Sequence, residues 1–201
     1  MKKKHVLIAA AVVALMAGQV MAQESPWLVR LRAVQLGMTN NWSPTVAGAA
    51  VTSVTANDKV IGEVDVTYFL TKNLAAELIL TLPQRQLVEA NGAALGSFNH
   101  LPPTLTAQYH FTDLPGYKPY VGLGVNYTKV SGVALGALTL DSSSTGAAMQ
   151  VGVDFPIDKK WSLNVDVKKV YIKTDVYSGS TSLGTLKLDP TLLGVGVGYR
   201  F

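Results

Sequence analysis

Apolar and polar positions alternate along most of this chain. Over 26–37 Trp27, Val29, Leu31 and Ala33 share one parity, and Leu28, Arg30 and Arg32 the other. Over 59–70 Val60, Gly62, Val64, Val66, Tyr68 and Leu70 oppose Glu63, Asp65 and Thr67. Segments 74–83, 101–111, 119–130, 144–155, 161–174 and 187–201 repeat the scheme, for example Leu105, Ala107, Tyr109 and Phe111 against Thr104, Thr106, Gln108 and His110. A period of two predicts strands with one face buried. Each of these eight segments is long enough for a tilted strand to cross a hydrocarbon layer.

The connections alternate too. Residues 71–73, 112–118 and 156–160 are short and turn-like, and Pro115-Gly116 marks the second. Stretches 38–58, 84–100, 131–143 and 175–186 are longer, rich in small and polar residues, and expected to be loops. Short turns at one end and long loops at the other predict an all-β fold: an eight-stranded antiparallel transmembrane β-barrel with the long loops outside the cell. A soluble barrel of the lipocalin type would alternate in the same way. Three features favour the membrane. Aromatics gather at strand ends, at Trp27, Tyr68, Tyr109, Phe111, Phe155, Trp161, Tyr199 and Phe201, as an interfacial girdle does. The polar parity is rich in glycine, which suits the cramped inside of a small barrel. The chain also ends in Tyr199-Arg200-Phe201, and a terminal aromatic on an alternating strand resembles the signal read by outer-membrane assembly machinery.

The N-terminus sets the compartment. Lys2, Lys3 and Lys4 precede an uncharged apolar run from Val6 to Ala17, and Val20-Met21-Ala22 offers a cleavage site. Residues 1–22 are expected to be a signal peptide cut after Ala22, and 23–201 one outer-membrane barrel domain. The run is too short for a transmembrane helix. Removing the leader also removes three lysines. The whole chain carries 17 basic and 13 acidic residues, so the remainder keeps 14 against 13, and basicity is no argument for nucleic acid. There is no cysteine, so the exported chain needs no disulfide framework.

The segments His100-Leu101-Pro102-Pro103-Thr104-Leu105, Lys118-Pro119-Tyr120-Val121-Gly122 running to Asn126-Tyr127, Gln150-Val151-Gly152-Val153-Asp154, and Leu188-Asp189-Pro190 leading to Gly198-Tyr199-Arg200-Phe201 resemble the outer membrane protein W (OmpW/AlkL) family. The likeness covers nearly all of 23–201. Loops 38–58 and 131–143 depart from the family and look shortened. The resemblance implies an eight-stranded barrel that helps small hydrophobic molecules through the outer membrane. The expected partners are these molecules, outer-membrane lipids with lipopolysaccharide, and the assembly machinery through Tyr199 and Phe201.

Parity places Arg30, Arg32, Glu63, Asp65, Glu77, Asp154, Asp166, Lys168 and Arg200 inside. Charges held away from bulk water need partners, so they are expected to form an ion-pair plug and not an ion-selective pore. A cargo blocked below would have to leave sideways. Pro83 lies near the outer end of the third strand and Pro102-Pro103 near that of the fourth. Proline donates no ladder hydrogen bond, so the three are a candidate lateral opening, or simply the places where the strands end. Lys169 and Lys173 fall on the lipid-facing parity, which places them at the outer interface unless a β-bulge shifts the register.

Other functions find less support. A lipid-modifying barrel enzyme would need a Ser–His–acid site, but His100 and His110 come with no nucleophile motif. No catalytic residue, metal site or cofactor is expected. A purely structural or adhesive barrel, or a surface receptor, remains the alternative to a conduit.

Overall fold

The computed structural model describes residues 25–45 and 51–201. The leader and its cut after Ala22 lie outside the described residues. Eight strands close the barrel: β1 (Trp27–Gly37), β4 (Lys59–Phe69), β5 (Leu74–Thr81), β8 (Thr104–His110), β9 (Lys118–Ala134), β11 (Ser143–Pro156), β12 (Trp161–Val170) and β15 (Thr191–Arg200). They run antiparallel in the order β1-β4-β5-β8-β9-β11-β12-β15, and β15 pairs back onto β1 through Leu28↔Arg200 to Gly37↔Thr191. Closure gives each of the eight strands a partner on both sides along the membrane-spanning part of the ring.

The expected long loops all carry strands, which fill most of 84–100 and 175–186. β2 (Asn41–Pro44), β3 (Val54–Ala56), β6 (Gln84–Ala90), β7 (Ala93–Leu101), β10 (Leu138–Leu140), β13 (Lys173–Ser178) and β14 (Thr181–Lys187) occupy them. These strands extend the wall above the membrane ring as two leaves. One leaf is β3-β6-β7 carried on the upper half of β9, and the other is the sheet β10-β13-β14-β2. Asn40 ties the leaves together, because its side chain both donates to the Ala56 carbonyl (2.9 Å) and accepts the Ala56 N–H (2.8 Å). The hairpin β6–β7 turns through Asn91 and Gly92, both at positive φ (51° and 78°). That conformation suits these residue types, so a tight turn stands where composition alone pointed to a loop.

The outward face of the ring is apolar all round: Leu31, Val64, Leu105, Leu123, Val151, Leu163 and Val195 are all exposed. A water-soluble monomer rarely shows apolar surface on this scale. The end bearing the short turns carries an aromatic belt. Trp27 meets Tyr68 (4.7 Å between ring centroids), Tyr109 meets Phe111 (5.0 Å), and Trp161 meets Tyr199 (4.9 Å), which in turn meets Phe201 (5.1 Å). At that end Asp158 accepts the N–H of Trp161 (2.8 Å) and of Lys160 (2.7 Å), and both bonds hold its carboxyl below the usual carboxylate range. Lys169 and Lys173 keep the outward parity, with no bulge before them. Lys169 Nζ reaches Thr39 Oγ1 (2.9 Å) and Thr191 Oγ1 (3.2 Å) on the neighbouring wall.

Inward glycines make room for large polar side chains. A Cβ on Gly152 would stand 2.3 Å from Cζ of Tyr120, and one on Gly196 only 2.1 Å from the Leu31 carbonyl oxygen. Alternating glycine is therefore a packing device for the lumen.

Candidate functional site

The lumen is built in two layers. The lower layer is ionic. Arg30 grips Asp154 with two nitrogens (Nε–Oδ1 3.0 Å, Nη2–Oδ2 2.7 Å) and reaches Asp65 at 3.1 Å. Arg32 touches Asp65 at 2.6 Å, Glu63 at 2.9 Å, Glu77 at 3.1 Å and Asp166 at 3.8 Å. Lys168 bridges Asp166 (2.6 Å) and Glu63 (2.8 Å). All eight of these side chains are buried. Neutral donors complete the network: Gln150 and Thr106 donate to Glu77 Oε2 at 2.6 and 2.9 Å, and the Tyr120 hydroxyl donates to Asp166 at 3.0 Å. Strand parity explains the convergence, since the residues come from β1, β4, β5, β11 and β12 and point to one axis.

Arg200, the ninth residue expected inside, lies lower. Its guanidinium donates to the Ser25 carbonyl (2.8 Å) and sits 4.4 Å above the Phe69 ring centroid, at the end that holds the termini. His110 is near it, stacked 4.9 Å from Tyr120 and bonded to Gln108 at 2.9 Å.

The upper layer is apolar, which parity alone does not announce. On β1 the inward set runs Leu28, Arg30, Arg32, Val34, Leu36, and charge stops at Arg32. Above it Val34, Leu36, Ile61, Val88, Phe98, Val130, Leu135, Ala148, Val170, Ile172, Val176 and Leu186 form one buried cluster. Trp42, Val51 and Leu138 pack against it from the two leaves. The upper part of the barrel is therefore filled by packed apolar side chains that stand on a charged network.

His100, expected as the last residue of loop 84–100, is instead an inward residue of β7, 2% exposed, at the lower edge of the apolar layer. Asn126 enters the sequence reading only as part of a family-like segment, and its role comes from the structure. Its Nδ2 donates to the carbonyls of Pro102 (3.3 Å) and Pro103 (3.2 Å) and to Thr104 Oγ1 (2.8 Å). Together with the Tyr127 N–H on Pro103 O (3.0 Å), it fastens the proline pair to β9. Its inward parity, two residues after Gly124, places it in the lumen but does not name its partners.

Pro83 and Pro102-Pro103 do not end their strands, because β6 begins at Gln84 and β7 finishes at Leu101. They interrupt a wall that continues. The β5–β8 ladder stops at Ile79↔Thr104 and the β6–β7 ladder starts at Gln84↔His100. Four residues thus face three, and the extra one flips the parity of the third strand from Ala75, Glu77 and Ile79 inward to Gln86 and Val88 inward. A second break adjoins it. β4 pairs with β5 only up to Glu63↔Thr81, so Lys59–Gly62 have no ladder partner on that side among the described residues. Continuing the register sets Gly62 against Leu82 and Lys59 against Arg85, and Lys59 Nζ does bond to the Arg85 carbonyl. Leu82 is 76% exposed and Val60 67%.

The Leu188-Asp189-Pro190 break across the barrel is closed by comparison. Leu188 donates to Ile172 O (2.8 Å), Val170 to Pro190 O (3.1 Å), and Asp189 Oδ1 accepts the Ile172 N–H (3.0 Å). Proline by itself therefore does not open this wall. The seam at Pro83 differs because, among the described residues, no backbone hydrogen bond crosses it from Lys59–Gly62 and only the Lys59 side chain reaches over, to the Arg85 carbonyl.

A closed eight-stranded ring with an apolar exterior, an aromatic belt and a polar interior defines an outer-membrane β-barrel of the bacterial type. The chain belongs to the OmpW family, whose model matches residues 17–201. It is 42% identical to the uncharacterized outer-membrane protein y4mB of Sinorhizobium fredii, over 88% of this chain and 80% of that protein. It is 32% identical to outer membrane protein W of Escherichia coli, over 99% and 100%. Its fold matches the crystal structure of the outer membrane protein OprG from Pseudomonas aeruginosa with a TM-score of 0.76 at 22% identity, covering 91% of this chain and 99% of OprG. The protein accordingly resides in the bacterial outer membrane, among its lipids and lipopolysaccharide.

Proposed function

We propose that this barrel is a passive conduit for small hydrophobic molecules. The observation that carries the proposal is the apolar upper interior standing on a charged floor. An apolar molecule gains by leaving water for this interior, and it enters by parting the packed side chains. It then meets a plug formed by Arg30, Arg32, Glu63, Asp65, Glu77, Asp154, Asp166 and Lys168, with Arg200 guarding the lower mouth. Entry into that plug would strip charges of their partners without offering new ones. The unpaired seam beside Pro83, Pro102 and Pro103 is the exit, and it delivers the cargo into the outer leaflet. No covalent chemistry is involved, and gradients drive the passage. Cells that carry the protein should take up apolar compounds faster than cells that lack it, with no change in uptake of small hydrophilic solutes. Equal uptake of apolar compounds by both would leave a structural or adhesive barrel as the better account.

The ending Tyr199-Arg200-Phe201 serves assembly in this reading. Phe201 is partly exposed and packs only at the edge of the belt, so it adds little to the finished wall. Deleting it should lower the yield of folded, heat-modifiable barrel in cells while leaving the unfolding midpoint of the purified barrel nearly unchanged. Normal yield in cells would remove the assembly role.

A further inference from the structure

A small cavity of about 30 Å³ lies between the apolar layer and the charged one. Leu36, Ile61, Ile79, Val170 and Leu192 form its apolar wall. Three polar groups in the same wall end in atoms without a hydrogen-bond partner: both ring nitrogens of His100, Oγ1 of Thr81 and Oε2 of Glu63. His100 is 2% exposed and Glu63 is 1% exposed. Buried polar atoms are almost always paired, and leaving one unpaired is costly. Several of them facing one space mark a position that a partner fills.

We infer that this cavity binds the hydroxyl end of an amphiphilic cargo, an alcohol or phenol whose apolar body takes its place among the apolar side chains above. The inference rests on the conduit reading and names the class of molecule it favours. A hydroxyl both donates and accepts. It can donate to Glu63 Oε2 and accept from the Thr81 hydroxyl or an imidazole N–H, and a neutral imidazole offers one donor and one acceptor. A carboxylate head is disfavoured, because five carboxylates stand below against three cations. An ammonium head is disfavoured by Lys168, whose own ammonium lies 2.8 Å from Glu63 Oε1 and also lines the space. The volume admits a group the size of one or two waters, which fits a hydroxyl and not a sugar or phosphate. A pure hydrocarbon would leave all these atoms unpaired, so the site selects among apolar molecules by one polar end.

The test uses the full barrel in lipid nanodiscs with ¹⁵N-labelled imidazoles, titrated with octan-1-ol, octane and octanoate. Octan-1-ol should shift the His100 ring nitrogens, and octane and octanoate should not. His100→Gln, which loses the signal, assigns it. No shift with octan-1-ol, or an equal one with octane, overturns the inference and leaves a cavity for water only. In cells, His100→Leu combined with Thr81→Val should lower the octanol-to-octane uptake ratio about tenfold, the worth of one to two ordinary hydrogen bonds. Octane uptake should persist, and His100→Gln with Thr81 intact should restore the ratio. An unchanged ratio in a folded, heat-modifiable double variant overturns the inference while the conduit stands. Uptake of both compounds independent of the protein overturns the conduit, and the nitrogen shift still reports the site.

Discussion

Replacing Arg32 with methionine is expected to destabilise the barrel by at least about 3–5 kcal/mol, the cost of breaking a buried ion pair from one side. Arg32 is the cation with the most carboxylate neighbours in the lumen, in contact with Glu63, Asp65, Glu77 and Asp166. Lys168 still compensates Glu63 and Asp166, and Arg30 still reaches Asp65. Glu77 keeps its neutral donors Gln150 and Thr106, but its remaining cation, Arg30, is 3.7 Å away. Methionine fills similar space, so the effect reports lost charge more than lost volume. The measurement is the urea midpoint of tryptophan fluorescence in lipid vesicles. Arg32→Lys should recover only part of the loss, because a point charge cannot serve several carboxylates in the fork geometry of a guanidinium. Adding Glu77→Gln and Asp65→Asn to Arg32→Met should recover more than Lys does. An unchanged midpoint for Arg32→Met would mean that water reaches these carboxylates and that the lumen is not plugged.

The ring itself could be read from the chain because a membrane barrel obeys one rule over its whole height: lipid outside, side chains inside. Residues such as Leu105 against Thr106, or Val151 against Gln150, carry that rule without ambiguity. The ionic layer followed from the same parity, and only Arg200 fell elsewhere, since its place at the end of β15 puts it below the network. The apolar upper layer was hidden because the rule changes there. Above the membrane the outside is wet and the inside is greasy, so Val34 and Leu36 keep the parity of Arg30 and Arg32 with opposite chemistry. Alternation in 84–90 was masked for the same reason: Gln86 and Val88 both point inward, and neither face is uniformly apolar. The break at Pro83 was visible as a proline. The parity flip it carries depends on how many residues two strands place across from each other, which is a property of pairing. The orphaned atoms of His100, Thr81 and Glu63 belong to different strands, and only closure of the barrel brings them to one cavity.

A disulfide across the seam should stop uptake. The chain has no cysteine, so Gly62→Cys with Leu82→Cys gives a single defined cross-link. These positions extend the last observed pair, Glu63↔Thr81, by one step. A Cβ on Gly62 would have nothing within 4 Å, Leu82 included, so the bond forms by drawing the two strands together across the seam, and its formation is checked on a non-reducing gel. Oxidation ties β4 to the third strand just below Pro83 and closes the side of the window that no backbone hydrogen bond closes. Uptake of apolar compounds should fall to the level of cells without the protein and return on reduction, with the folded yield unchanged in both states. Replacing Pro83 with Val and Pro102 and Pro103 with Thr should act in the same direction more weakly, because restored N–H donors can pair again only where the one-residue offset allows. Pro190→Val is the matched control: its break is already bridged from Leu188, Val170 and Asp189, so uptake should not change. The lumen offers the competing route, and it has its own signature. If the oxidised barrel carries cargo at the reduced rate, and Glu77→Gln or Asp65→Asn changes that rate, the molecules pass down through the ionic layer and the wall stays shut. The opposite pattern, loss on oxidation with indifference to the two amide variants, requires a sideways exit. The seam beside Pro83 has no ladder pairing toward either neighbour among the described residues, neither to Lys59–Gly62 on one flank nor to Leu101–Pro103 on the other, although the latter segment is held to β9 on its far side.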